Sequence, residues 1–494
     1  MVSRSEHGVA APLIADKSFT VVDQERFAAA SGDRNPIHMD VVAARRTLAG
    51  QPVVHGIHAL LWSLDGLYQQ VPDLPAVASI SVRFEKMIYL GVRTSAVLVD
   101  RSRDGIRLDV LSEGRTAVTV RLVFGHPVPS PETCDRGEAF QPREPISLTF
   151  DDMVDYQGCA PFFSPAEAVV RLFPYAARAL GGERIAGLAC SSFIVGMICP
   201  GRHSMYRSLK FATTSPANAD GNRLHFSVTH ADPRFRLVRL AITGAGWHGS
   251  LDAHALPPPT SQPTMDEIAT KVVGDEFRGT SALVIGGTRG LGELIGKILA
   301  VGGADLTLTY SVGEADAHGV QAQIAGHGGR CEIMRYDVRA AADGQLQSLE
   351  RMPDQIYYMA TPQIFRQSRS LFQQKYLDEF LAFYVSGFYD LHAALRQKYG
   401  TDFSMFYPSS IYVDTRPRDM TEYAMAKAAG ELLCADMQAF ERSGRIVMRR
   451  LPRLPTDQTA SLVEERMADP IDLMVAIIRE IQAGQVATRA TSTT

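Results

Sequence analysis

The sequence predicts two α+β halves of like layout, followed by an α/β unit built on a doubly wound parallel sheet. Three observations point there. Two successive stretches each offer one apolar run at helical spacing and then several strand-length runs. Two proline-rich breaks set these stretches apart from each other and from the remainder. The remainder alternates strands and helices, as a parallel sheet requires.

In the first stretch, IHALLWSLDGLYQQV is the helix, and AVASISVRFEKMIYL, VRTSAVLVDRS, GIRLDVLSEG and RTAVTVRLVFG are strand runs. In the second, PAEAVVRLFPYAARALGG reads as helix, and SSFIVGMICPG, HSMYRSLKFATT, RLHFSVTHADP and RLVRLAITGAGW read as strands. One helix followed by several antiparallel strands, occurring twice, predicts a pseudo-dimer of one wrapped-helix fold. The breaks are HPVPSPETCDRGEAFQPREP, ending at Pro145, and LDAHALPPPTSQPT, Leu251 to Thr264, stiffened by three consecutive prolines. VATRATSTT at the end reads as a disordered tail. The expected division is 1–130 and 145–255 for the two halves, 256–275 for a linker, 276–485 for the α/β unit and 486–494 for the tail.

Composition excludes several classes. The 494 residues are 46% hydrophobic and 21% charged, with a net charge of −4, so bulk charge recruits neither nucleic acid nor an acidic membrane. No continuous apolar run is long enough to span a bilayer, and the N-terminus lacks the apolar core of a signal peptide. Cys134, Cys159, Cys190, Cys199, Cys331 and Cys434 lie far apart without a CxxC, so they read as reduced thiols and not as a disulfide frame or zinc site. The expectation is a soluble cytoplasmic protein without a metal.

In the α/β unit, SALVIGGTRGLGELIGKILAVGG is a buried strand, a glycine turn and a helix. Gly286, Gly290 and Gly292 let the backbone approach a pyrophosphate, and the helix N-terminus offers N–H groups and positive dipole. Further on, Tyr423 and Lys427 are four residues apart and so share a helix face, with Ser410 thirteen residues before Tyr423. A lysine ammonium that lowers the phenol's pKa and holds a ribose allows tyrosine to protonate a developing alkoxide, while a serine hydroxyl orients the carbonyl. Ser409 is adjacent, but successive strand residues face opposite ways.

These residues resemble the short-chain dehydrogenase/reductase family over roughly 276–485. The resemblance implies a Rossmann-type sheet and Ser410, Tyr423 and Lys427 as the catalytic set. It implies Gly286, Thr288, Arg289, Gly290, Leu291, Gly292, Asp337, Val338 and Ala360 as cofactor neighbours, with Asp337 at the adenine. NAD-preferring members carry an acid after the second strand; here Thr309-Tyr310-Ser311 has no carboxylate and Arg289 can meet a 2′-phosphate, which favours NADP(H). Three positions depart from the pattern. Tyr358-Met359-Ala360-Thr361 replaces the strand-end asparagines, Tyr384 replaces a helix asparagine of the proton relay, and Arg453 follows Pro452 where glycine is usual. Arg453 reads as crowding the nicotinamide end or clamping an acidic substrate.

In the first half, Asp33 and His38 stand five apart around Pro36, and VVHG precedes the apolar helix. Two such groups can flank one water, one taking a proton and the other positioning it or giving one back. Gly56 at the helix start would aim its N–H at a carbonyl oxygen that gains charge. SGDRNPIHMD followed by VVHG is similar to the MaoC-like (R)-specific enoyl-CoA hydratases of hotdog fold. That resemblance implies Asp33 and His38 as the catalytic pair, Asn35 as loop support, Gly56 as oxyanion donor and Ser204 near the site. Ser79 and Ser81 are equally placed counterparts in the first half. The second half lacks the motif and reads as the non-catalytic half of a double hotdog. Both families assemble into oligomers, so a homo-oligomer is expected by analogy.

The two chemistries share an intermediate. Together they predict an NADPH-dependent 3-oxoacyl-thioester reductase plus (R)-3-hydroxyacyl-thioester dehydratase, acting on acyl-CoA or an acyl-carrier protein. The rival readings are one active unit with the other a nucleotide-binding or docking module, and a non-catalytic carrier-binding scaffold.

Overall fold

A computed structural model describes residues 11–129, 144–161, 166–214, 223–365, 371–400, 403–440, 444–459 and 467–492. The chain divides into two units between Pro258 and Pro259.

In the first unit, β1 (Leu13–Ser18), α1 (Val21–Ser31), α2 (Pro36–Met39), α3 (Val41–Arg45) and α4 (Gly56–Gln70) precede β2 (Val77–Phe84), β3 (Arg93–Arg101), β4 (Gly105–Ser112) and β5 (Arg115–Phe124). The second half runs β6 (Gln157–Pro161), α5 (Ala166–Leu172), α6 (Pro174–Leu180), α7 (Gly182–Phe193), a π-helical turn (Ile194–Ile198), β7 (Ser204–Thr213), β8 (Arg223–Asp232), β9 (Leu237–Gly244) and β10 (Trp247–Ala255). All ten strands form one antiparallel sheet in the order β1-β3-β4-β5-β2-β7-β10-β9-β8-β6. The halves join through β2 and β7, where Ile80 pairs with Phe211 and Val82 with Leu209. Helices α4 and α7 are apolar around most of their circumference because the sheet wraps them. Ile57, Leu60, Leu64, Ile185 and Leu188 lie in one core with Leu108, Val120 and Leu240.

Two expectations for the second half are corrected. The predicted helix 165–182 breaks at Pro174, which takes the first turn of α6 because proline cannot continue α5. The run SSFIVGMICPG, expected as a strand, is the end of α7 and the π-helical turn. Burial on all sides removes the polar face that would have revealed its helical period. The break at 130–143 lies outside the described residues.

In the second unit, α8 (Met265–Ala269) leads to β11 (Ser281–Ile285), α9 (Gly290–Val301), β12 (Asp305–Tyr310), α10 (Glu314–Gly326), β13 (Arg330–Arg335), α11 (Ala342–Gln345) and β14 (Gln355–Tyr358). Then come α12 (Gln374–Leu381), a π-helical turn (Ala382–Ser386), α13 (Gly387–Tyr399), β15 (Ser404–Ser410), α14 (Tyr412–Thr415), α15 (Thr421–Phe440), β16 (Arg445–Leu451) and α16 (Pro470–Ser492). The sheet is parallel, in the order β13-β12-β11-β14-β15-β16. Chain order therefore reverses between β11 and β14, and in such sheets the crevice at the strand ends there takes the ligand. Strand residues alternate between two cores: Phe406 packs with Ile298 and Ile478, while Met405 and Tyr407 pack with Leu391 and Leu395.

The linker expected over 256–275 and the disordered tail expected over 486–494 are both corrected. Helix α8 opens on a capping box: Thr264 N donates to Glu267 at 2.7 Å and Glu267 N to Thr264 Oγ1 at 3.2 Å. Its Met265 and Ile268 are buried in the unit's core. The backbone of α16 continues to Ser492.

Candidate active sites in the two units

The loop after α1 places Asp33. Gly32 ends that helix in the left-handed conformation at φ 80°, and Asn35 caps α2, accepting from Ile37 N at 3.1 Å. Asn35 Nδ2 also donates to Gly196 O at 2.7 Å and to Gly201 O at 3.1 Å, which ties this loop to the π-helical turn of the second half. Asp33 is 2% exposed. Its Oδ2 accepts from Ser192 Oγ at 2.6 Å, and its Oδ1 accepts from Asn35 N at 3.1 Å. A methyl group on Gly196 would lie 2.4 Å from Oδ1, so only glycine fits there.

His38 donates from Nδ1 to Val53 O at 2.8 Å, which leaves Nε2 as the acceptor of a neutral ring. Its ring stacks on that of His55, with centroids 3.8 Å apart. The side-chain ligating atoms of Asp33, His38 and His55 lie within 4.8 Å of one another. Such a group resembles a metal triad, but His55 is committed on both nitrogens. Nδ1 faces Gln24 Nε2 at 3.1 Å and Nε2 faces the Asp33 carbonyl at 3.0 Å. His55 thus braces the pair.

Burial drives Asp33 up and His38 down, each toward its neutral form, while their mutual attraction and the Ser192 bond oppose this. Such a pair can take a proton at one member and deliver one at the other. Gly56 is the first residue of α4, where first-turn N–H groups have no partner inside the helix. A methyl there would meet the Phe84 ring at 2.8 Å. Ser204 opens β7 and is buried, but the serine that reaches Asp33 is Ser192. Ser79 and Ser81 are half-buried on the β2 face opposite the core residues Ile80 and Val82. Sequence reading missed Ser192, Gln24 and His55; the histidine of VVHG was the one signal for them.

The second site lies at the strand ends where chain order reverses. Gly286 has φ +75° and Gly290 φ +56°, values that glycine adopts without strain. A methyl on Gly286 would sit 3.1 Å from the Ala360 backbone, and one on Gly292 would sit 2.1 Å from Gly286 O. The turn is thus packed between the end of β14 and the start of α9, and Thr309 Oγ1 accepts from Gly286 N at 3.0 Å. Thr288 is buried, Leu291 partly so, and Val338 is buried beyond β13. Arg289 Nη1 lies 3.9 Å from Asp457. Asp337 accepts from Arg339 at 2.8 Å. Thr309-Tyr310-Ser311 at the end of β12 carries no carboxylate, but Tyr310 donates to Glu314 at the start of α10 at 3.0 Å.

Ser410 and Tyr423 meet, and that contact lowers the Tyr423 phenol, but burial outweighs it and pushes the group up to about 12. Ser409 turns away to donate to Glu431. Lys427 is buried and pushed down to about 7 by that burial. Its Nζ donates to Pro408 O at 2.6 Å and lies 3.7 Å from the Tyr384 ring centroid, against 5.9 Å from that of Tyr423. The expected electrostatic lowering of the phenol by Lys427 is therefore not the dominant influence on Tyr423 in this arrangement. Arg453 donates to Thr459 O at 2.7 Å and lies over Phe365 at 5.9 Å, engaged within its own loop.

A family model described as "MaoC like domain" matches residues 6–120. Residues 6–120 are thus similar to a MaoC-like domain. Its matched span contains Asp33, His38 and Gly56, whereas Ser192 and Gly196 lie beyond it. The MaoC-like span completes its polar loop with residues from the half that follows it. No curated protein matches the chain. Among solved structures, FolM alternative dihydrofolate reductase 1 from Brucella canis, complexed with NADP, is 16% identical with a TM-score of 0.32, covering 35% of this chain and 73% of that one. A short-chain dehydrogenase/reductase from Serratia marcescens is 23% identical (TM-score 0.32; 35% and 74%). A gluconate 5-dehydrogenase from Burkholderia cenocepacia with NADP and tartrate is 20% identical (TM-score 0.32; 35% and 72%). Among the described residues, no helix is long and apolar enough to cross a membrane.

Proposed function

We propose that the chain is a bifunctional enzyme, a double hotdog (R)-3-hydroxyacyl-thioester dehydratase joined to an NADPH-dependent 3-oxoacyl-thioester reductase. The observation that carries the reading is the Asp33–His38 pair in the MaoC-like span, with Asp33 buried and burial pushing each group toward its neutral form. In the dehydratase, one member of the Asp33–His38 pair takes the proton from C2 and the other gives a proton to the C3 hydroxyl, which leaves as water as the C2=C3 bond forms. Gly56 N–H meets the thioester oxygen, and Asn35 holds the loop. In the reductase, the glycine turn Gly286–Gly292 and the residues Asp337, Val338 and Ala360 fit a dinucleotide, with Arg289 favouring a 2′-phosphate. NADPH supplies a hydride when bound. Tyr423 gives its phenolic proton to the developing alkoxide, Ser410 orients the carbonyl and Lys427 supports both. The acyl group rides on CoA or a carrier protein, and the chain acts as a homo-oligomer.

Incubation with acetoacetyl-CoA and NADPH tests the proposal, with absorbance at 340 nm reporting reduction and mass analysis reporting crotonyl-CoA. Asp33→Asn with His38→Ala is expected to lower crotonyl-CoA hydration by about 10²-fold or more, and Tyr423→Phe to lower NADPH oxidation as much. NADPH should exceed NADH in kcat/KM; a preference for NADH would place Glu314 at the ribose and remove Arg289 from its role. A second reading, in which the α/β unit binds nucleotide without turnover, draws on Lys427 facing Tyr384 more closely than Tyr423. Tight NADPH binding with no loss at 340 nm selects it.

A further inference from the structure

We propose that Tyr384 is a positioning residue that holds the Lys427 ammonium on its ring face, replacing with an aromatic surface the amide expected at that place. The inference rests on the reductase reading.

Lys427 Nζ has the Pro408 carbonyl at 2.6 Å and three tyrosine rings around it, with centroids at 3.7 Å for Tyr384, 5.1 Å for Tyr407 and 5.9 Å for Tyr423. The nearest ring is itself fixed. It stacks on Phe380 at 5.9 Å and 8°, meets Tyr423 edge-on at 5.7 Å, and its hydroxyl bonds Thr361 Oγ1 at 2.5 Å. The π-helical turn Ala382–Ser386 carries Tyr384 into this position. The groups facing Lys427 are few. Its own helix supplies Tyr423, Glu431 and Cys434, β15 supplies Tyr407 and the Pro408 carbonyl, and the turn supplies Tyr384. Glu431 is already bound to Arg450 of β16 at 2.6 Å and to Ser409.

A buried ammonium with a single carbonyl partner tends to lose its proton. A π face stabilises the charged form without an acceptor atom, and does so more strongly away from water. The tyrosine ring therefore keeps Lys427 charged at pH values where burial alone would neutralise it. Removing the ring lowers the lysine's proton affinity. If reduction needs the ammonium, activity falls as pH rises through that value, so loss of the ring moves the alkaline limb to lower pH.

The test compares full-length wild type with Tyr384→Phe and Tyr384→Leu, reading acetoacetyl-CoA reduction by NADPH across pH. Tyr384→Phe, which keeps the face, should retain the wild-type profile within about twofold. Tyr384→Leu should move the alkaline limb down by about one pH unit and recover part of its lost kcat at low pH. Tyr384→Met serves if the leucine variant melts early by circular dichroism. Equal impairment of Tyr384→Phe and Tyr384→Leu would assign the role to the Thr361 hydrogen bond and overturn the proposal, as would a loss of the same factor at every pH. A readout without turnover separates this from failure of the reductase reading. The Lys427 titration is followed by NMR of the chain carrying nitrogen-labelled lysine, assigned with Lys427→Arg. If wild type does not turn over but the leucine variant still titrates lower than the phenylalanine variant, the aromatic support stands and the reductase reading falls. Equal titration in both overturns the support.

Discussion

Asp33 keeps two hydrogen bonds and almost no solvent, so the environment sets its charge. Ser192 supplies the short bond to its Oδ2, and that bond favours the carboxylate against burial. Ser192→Ala is therefore expected to raise the Asp33 pKa. A base that works ionised then needs a higher pH, and the acidic limb of the hydration profile moves up by about one unit or more. An unmoved limb with unchanged kcat would show that Ser192 only packs. Lys427 gives the opposite sign. Its folded value is pushed from the ordinary lysine range to about 7, so between that pH and the ordinary range the unfolded chain binds more protons than the folded one. Stability rises with pH across that window, and the cost is fully present below it. Lys427→Met is expected to raise Tm at neutral and lower pH, by a gain on the order of a few kcal/mol that vanishes at strongly alkaline pH. A gain independent of pH would mean that the ammonium carries no burial cost.

At the scale of elements, the glycine turn shows how backbone geometry dictates residue choice. Gly292 sits where a methyl would reach 2.1 Å from Gly286 O, and that atom is backbone, so the turn itself must shift. Gly292→Ala is expected to weaken NADPH affinity about tenfold or more while crotonyl-CoA hydration stays unchanged. Nucleotide titration by fluorescence checks it, and unaltered affinity would mean the turn relaxes without consequence. This element was legible in the sequence because its constraints are local. The glycines, the strand before them and the helix after them are contiguous, and Tyr423 and Lys427 share a helix face by spacing alone. The Ser191–Gly201 run was not legible, since a helix buried all round loses its polar stripe. Ser192 and Asp33 are 159 residues apart, and nothing in either local sequence announces a contact made by folding one half against the other. Gln24 and His55 escaped for the same reason, being 31 apart and joined inside the core. Pattern reading found β2 to β5 and β7 to β9 but not β1, β6 or β10, the last of which runs into the break expected from Leu251, nor the β2–β7 pairing that makes one sheet.

For the whole molecule, the cores decide what can be separated. The first unit's main cluster draws its buried residues from Ile14 to Ala255, and the second unit's two clusters draw theirs from Met265 to Ile481. No buried cluster among the described residues mixes the two. A substitution that acts through packing in one unit therefore has no shared core by which to reach the other, and effects confined to separate cores add. Asp33→Asn should leave 3-oxoacyl-thioester reduction within about twofold of wild type, and Tyr423→Phe should leave hydration equally intact. It follows that each variant keeps the step the other lacks. An equimolar mixture of the two is expected to convert acetoacetyl-CoA and NADPH to crotonyl-CoA, the 3-hydroxyacyl thioester passing through solution. Mass analysis of the products over time checks this. If each variant performs its own step but the mixture makes no crotonyl-CoA, the intermediate must pass within a single chain. If either variant loses both steps, the units are one cooperative catalyst despite their separate cores, and the assignment of one chemistry to each fails.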